Sequence, residues 1–254
     1  MLGFLEFLLL TAVMGLSIFL SLPVILHPRS QGRVGVLLNA AAIGILLFLL
    51  ADIFGNVAPL IASSTTAFLT VPSRDLAFAI PFVVAFLLLV TIDDSRGRSR
   101  PSTPAWTALV VALGMGLQNF SEGLVFGSAW AAGALGLLAV VFTGFLLQNI
   151  TEGFPIAAPY LGVEQKPIGV LSTLFLVGGL PTIVGGVLGF FYNSATLELA
   201  FDGAAMGAIT YVLLPMVKGA FRPADTPDKT AQRQRIVYFG VLVGFVLGFV
   251  VNAV

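Results

Sequence analysis

Apolar runs of bilayer length follow one another along this chain with almost no charge inside them, and no other feature constrains its fold as strongly. About 20 apolar residues make a helix that crosses a hydrocarbon core. Eight segments meet that length, at about 4–26, 34–56, 74–92, 105–127, 133–160, 167–191, 200–220 and 236–254. Only 9% of the 254 residues are charged and 58% are hydrophobic. A soluble domain carries about a quarter charged residues, so this chain has too little polar side chain to cover a water-facing surface. Backbone in lipid must satisfy its own hydrogen bonds, and no alternating pattern offers a barrel. The expectation is an all-α integral membrane protein with one membrane domain over residues 1–254. A count of seven follows if the weak third or seventh span is re-entrant.

The connections set an orientation. "HPRSQGR", "DDSRGRSRPSTP" and "RPADTPDKTAQRQR" read as polar loops, "GNVAPLIASSTTAFLTVPSR" as a long neutral one, and "GSAWAAGA" as a tight turn. With eight spans, Arg29, Arg33, Arg96, Arg98, Arg100, Lys166, Lys218, Arg222, Lys229, Arg233 and Arg235 fall on one side, and Arg74 alone on the other. The positive-inside rule then places the first group in the cytoplasm and both termini outside, in a plasma membrane. Glu6, Asp52, Asp75, Glu198 and Asp202 gather at the outer helix ends, where they would concentrate cations. Asp52 and Asn56, four residues apart, read either as an outer ligand pair on the way in or as a helix-end hydrogen bond. Asp202 reads either as part of that mouth or as a cap opening span seven.

The chain has no cysteine, which excludes disulfides, thiolate nucleophiles and Cys-ligated zinc. It has no H-E-x-x-H, G-x-S-x-G or Walker pattern, so no protease, hydrolase or ATP-driven pump is expected, and the reading is non-enzymatic. No organic cofactor and no nucleic-acid partner is expected. The only histidine, His27, reads as an interfacial residue at the inner end of span one.

The polar residues that do enter the apolar runs are repeated. "QNFSEG" (Gln118–Gly123) and "QNITEG" (Gln148–Gly153) stand about midway along spans four and five. A short turn makes these spans antiparallel, so the two copies should meet at similar depth. Positions i and i+4 share a helix face, which converges Gln118, Asn119 and Glu122 on Gln148, Asn149 and Glu152. A mid-membrane carboxylate costs several kcal/mol unless it is paired, protonated or bound to a cation. No intramembrane Arg or Lys is at hand, so the two glutamates suit a divalent cation or two shared protons. The bland alternative is amide hydrogen bonding between helices, with Gly123 and Gly153 allowing close approach.

The twin motifs resemble the paired fourth- and fifth-helix signatures of the ZIP divalent-metal transporters, typically H-N-x-P-E-G, with Pro155 and Pro159 matching the downstream prolines of the second. "LVGGLPTIVGGVLGFF" is similar to the family's sixth helix and "FDGAAMGAITYVLLP" to its seventh. The resemblance implies eight transmembrane helices in a 3+2+3 bundle, inward transport of a divalent metal such as Zn, Mn or Fe by alternating access, and a possible homodimer. Carried over by position, Gln118, Glu122, Gln148 and Glu152 would line a first metal position, and Asn119, Glu122, Asn149 and Glu152 a second. The chain departs from the pattern at Gln118 and Gln148 (family His), Ser121 and Thr151 (Pro), Leu180 (Glu), and Pro215 and Lys218 (acidic residues). A donor set of carboxylates and amide oxygens suits harder ions better than zinc, which prefers nitrogen and sulfur. A proton-coupled carrier of another solute and a non-transporting ZIP-like membrane protein are the competing readings.

Overall fold

A computed structural model describes residues 3–27, 32–63, 73–95, 103–133, 135–161, 163, 167–192 and 194–252. Among them the chain is helical, with no strand. We number the helices α1 (Phe4–Leu26), α2 (Gly32–Ala62), α3 (Arg74–Ser95), α4 (Pro104–Ala131), α5 (Leu135–Ala157), α6 (Ile168–Phe191), α7 (Ala195–Ala220) and α8 (Pro227–Asn252). By length and composition, seven of the described helices can cross a membrane, α3 and α7 among them, and α5 runs for 23 residues between two of these.

Several ends differ from expectation. α2 continues past residue 56 through Pro59 to Ala62, taking in part of the expected neutral loop. α8 starts at Pro227, so "DKTAQRQR" is helix and not loop. α7 starts at Ala195, where the Ser194 hydroxyl accepts from Leu197 N at 3.3 Å. Asp202 therefore lies two turns inside the helix and is not its cap. The long fifth span ends as α-helix at Ala157, and Ala158–Tyr160 tightens into a 3₁₀ turn next to Pro159. α1 carries a 3₁₀ segment at Ser17–Ser21. There Ser17 Oγ bonds Met14 O (2.6 Å) and reaches Leu146 O of α5 (3.0 Å), and Ser21 Oγ bonds Ile18 O (2.8 Å).

The helices pack as two interlocked groups, α1 with α4, α5 and α6, and α2 with α3, α7 and α8. Three pairs run parallel with backbones close together: α4 with α6 (Gly123 against Thr182 O and Gly186 N), α2 with α8 (Gly244 against Ala41), and α3 with α7 (Gly203 against Phe78 O). Helices in lipid gain little from apolar burial, so small residues that permit such approach carry much of the packing. α1 runs against α6 in the opposite sense, with Phe4 edge-on to Phe190 and Phe7 tilted against it. The starts of α1, α3, α5 and α7 thus share one face, called here the first. The described basic residues Arg33, Lys218, Arg222, Lys229, Arg233 and Arg235 lie at the second face and Arg74 at the first. Arg29, Arg96, Arg98, Arg100 and Lys166 lie outside the described residues.

Candidate metal site between the central helices

Both hexapeptides are helical and their polar side chains are buried: Gln118, Asn119, Gln148, Asn149 and Glu152 are at most 2% exposed, and Glu122 is 7% exposed. Burial on this scale demands partners, and each helix supplies a donor to the carboxylate of the other. Gln148 Nε2 donates to Glu122 Oε1 at 2.7 Å, and Asn119 Nδ2 to Glu152 Oε2 at 2.8 Å. Gln118 Nε2 adds a bond to the same Glu122 oxygen at 3.2 Å, and Asn119 Nδ2 also reaches Gly178 O of α6 at 3.0 Å. The expected convergence therefore holds for five of the six residues. Asn149 differs: its amide donates back along its own helix to Phe145 O at 2.9 Å.

This lattice uses the nitrogens and leaves the oxygens. Gln118 Oε1, Asn119 Oδ1, Glu122 Oε2, Gln148 Oε1, Asn149 Oδ1 and Glu152 Oε1 are all buried without a hydrogen-bond donor. One acceptor per motif residue is thus unsatisfied, two of them on carboxylates. A buried acceptor without a donor costs about 1–3 kcal/mol, so these oxygens are open to a donor or a cation. Thr182 Oγ1 of α6 is buried and unpartnered as well, on the side facing Gly15 of α1. Among the described residues no three His, Cys, Asp or Glu side chains form a metal cluster. The site's formal charge comes from Glu122 and Glu152, and its other donors are neutral.

A cavity of about 340 Å³ leads to the site. Asp52, Asn56 and Leu60 of α2, Val125 of α4, Val141 and Phe145 of α5, and Glu198 and Asp202 of α7 form its walls, with Gln118, Ser121 and Glu122 also lining it. These wall residues belong to the first-face halves of their helices. Glu152, Asn119, Gln148 and Asn149 do not line it, and the buried Ile156, Ala157 and Ala158 follow on the second-face side. Glu122 is thus reached from the cavity while Glu152 stands behind it.

Asp52, Asn56 and Asp202, read in the sequence as outer entry residues, line this cavity, whereas Glu6 and Asp75 of the expected acidic mouth do not. Asn56 Nδ2 lies 3.5 Å from Asp52 Oδ2, the outer limit of a hydrogen bond, in mid-helix and not at its end. Asp202 is 6% exposed and hydrogen-bonds the Ser121 hydroxyl, tying α7 to the first hexapeptide. Glu198, read from the sequence only as one of the outer acidic residues, also lines the cavity, and Ser121 is a lining residue that sequence reasoning missed. Glu198 was legible as the i−4 partner of Asp202 on one face of α7. Ser121 offered no local signal, because its partner is on another helix. Arg74 does not enter the cavity: its guanidinium is held by Leu60 O (2.8 Å) and Ser63 Oγ (2.7 Å) at the end of α2. The chain matches no protein-family model and no curated protein.

Proposed function

We propose that this protein is a ZIP-like transporter that moves a divalent metal cation through the membrane by alternating access, entering at the acidic first face. The observation that carries this reading is the set of six donor-less buried oxygens around Glu122 and Glu152. Hydrogen bonding between helices needs no such surplus of acceptors, and a proton carrier needs no amide oxygens. The acidic vestibule of Asp52, Glu198 and Asp202 supports the same reading, because it raises local cation concentration at the mouth of a low-dielectric path. The basic second face would be cytoplasmic, which makes transport inward.

Gln118, Asn119 and Gln148 each have two tasks in this mechanism: the amide nitrogen holds a carboxylate in place, and the carbonyl oxygen faces the cation. The cation sheds water stepwise, first to Glu122 and Gln118 at the cavity floor, then to Glu152 and the amides of Gln148 and Asn119 behind. Closing the vestibule by moving the group α1, α4, α5 and α6 against the group α2, α3, α7 and α8 would pass it to the second face. With oxygen donors alone, the preference for Zn²⁺ is weakened and harder ions such as Mn²⁺ are accepted.

The test is uptake into liposomes containing the purified protein, with Mn²⁺, Zn²⁺, Fe²⁺, Co²⁺ and Mg²⁺ offered separately and in competition. Saturable Mn²⁺ flux that Zn²⁺ does not outcompete, lost in both Glu122→Gln and Glu152→Gln, is the expected result. Tight zinc selectivity would overturn the ion assignment. Absence of flux for every metal, with no metal-dependent thermal stabilisation, would leave the solute-carrier or non-transporting reading.

A further inference from the structure

At the second face, a groove of about 390 Å³ runs between the first turns of α2 and the third turn of α8. Its walls are Val34, Leu37, Ile236 and Phe239, and the remaining lining residues are Arg33 and Arg235. It lies just before the place where the two helices close on each other at Ala40, Ala41, Gly240 and Gly244. Phe239 is 59% and Val34 44% exposed.

The two arginines differ from others held in the fold. Arg74 is bound to Leu60 O and Ser63 Oγ, and Arg233 donates to Ala220 O (3.0 Å) and Gly219 O (3.2 Å) at the end of α7. Arg33 and Arg235 have no hydrogen-bond or ion-pair partner among the described residues. Both guanidiniums border the same apolar groove, one from each helix, and leave their donors open to an anion. Guanidinium presents a planar fork that matches phosphate oxygens. The apolar floor continues from the charged rim along the helices, in the direction an acyl chain takes from its headgroup.

We propose that this groove is a binding site for one anionic phospholipid, its phosphate held between Arg33 and Arg235 and an acyl chain laid over Leu37 and Phe239. The charge pattern selects an anionic over a zwitterionic headgroup, and the apolar floor selects a lipid over a free phosphate. Basic pockets between transmembrane helices recognise lipid headgroups in this way. The site is remote from Glu122 and Glu152 and does not depend on what the protein carries. It would fasten the parallel α2–α8 pair at the end where large side chains keep the helices from meeting.

The test uses the full chain, delipidated in neutral detergent, with phosphatidylglycerol and phosphatidylcholine of identical acyl chains as probes. Native mass spectrometry counts the lipid retained, and thermal melting reports its effect. One phosphatidylglycerol should be retained roughly thirty-fold more strongly than phosphatidylcholine, about fivefold for each arginine. Arg33→Gln and Arg235→Gln should each lose about fivefold of that preference, and the double variant all of it, while melting in phosphatidylcholine stays unchanged. Arg222→Gln, at an exposed arginine of the same face outside the groove, should keep it. Equal loss in Arg222→Gln would show diffuse surface charge and overturn the site. Competition by glycerol phosphate as strong as by the intact lipid would overturn the lipid in favour of a free phosphate. Unaltered preference in the double variant would overturn both.

Discussion

Gln148 and Glu122 are joined by the shortest bond of the buried lattice, 2.7 Å, and replacing one or the other should have opposite consequences. Gln148→Leu keeps most of the volume but strips a donor from a buried carboxylate. It should cost about 1–3 kcal/mol in the metal-free protein and weaken cation binding by roughly 10–100-fold through loss of ligand orientation. Glu122→Gln removes the buried charge and leaves an amide that still accepts from Gln148. The metal-free protein should then melt no lower than the parent, while Mn²⁺ no longer raises its melting temperature. Thermal melts with and without Mn²⁺ read both; equal destabilisation by the two substitutions would mark the lattice as structural packing only. The site was legible at this scale because the repeat itself named all six residues. Two details were not. Whether Asn149 bonds across to α4 or back to Phe145 O depends on rotamer choice, and the partner of Ser121 lies on α7, eighty-one positions on at Asp202.

Elements meet here through glycine, and the helix carrying the first hexapeptide shows how closely. A Cβ at Gly123 would run into Thr182 O and Gly186 N of α6, which are backbone atoms that cannot rotate away. Gly123→Val should therefore cost at or above the roughly 1–3 kcal/mol usual for overpacking, and it displaces Glu122 by moving the helix that bears it. Gly144→Ala, on the cavity wall of α5 with nothing within 4 Å of the new carbon, should be neutral or stabilising by up to about 1 kcal/mol. Yield of monodisperse protein and its melting temperature compare the two; a tolerated Gly123→Val would mean that α4 and α6 are not held at glycine contact. The spans themselves were legible because apolar length is a direct physical requirement of lipid. Their ends were less so. Outside the hydrocarbon nothing forces a helix to stop, so "DKTAQRQR" winds into α8, and Pro59 is accommodated within α2. The 3₁₀ segment of α1 arises from Ser17 and Ser21 bonding back to the backbone, an option that hydropathy does not register.

The whole molecule is asymmetric between its faces, and the asymmetry turns the proposed transport into a question of access. From the first face a cavity reaches Glu122; beyond Glu152, Ile156 and Ala157 are fully buried. The described cations divide the same way: Arg33, Lys218, Arg222, Lys229, Arg233 and Arg235 stand on the second face, beside Asp93, Asp94, Asp225 and Asp228, and Arg74 alone stands on the first, with Glu6, Asp52, Asp75, Glu198 and Asp202. Because the chain contains no cysteine, single reporters can be introduced without background. Val125→Cys, on the cavity wall beside Glu122, should react in intact cells with a membrane-impermeant thiol reagent, whereas Ile156→Cys should not. Mn²⁺ should slow labelling at position 125, because an ion held at Glu122 and Gln118 occupies the path the reagent takes. Under conditions of net uptake, the cytoplasmic side of inverted vesicles should gain reactivity at position 156 as the vestibule closes. Labelling of Val125→Cys only in inverted vesicles would reverse the orientation and make the acidic face cytoplasmic, an arrangement suited to export. Equal labelling of both positions from one side would describe an open pore, for which two glutamates held behind one another have no use. In the proposed transport, a path closed at one end needs a bound state that costs less than the empty one, and the six oxygens left without donors would supply that difference.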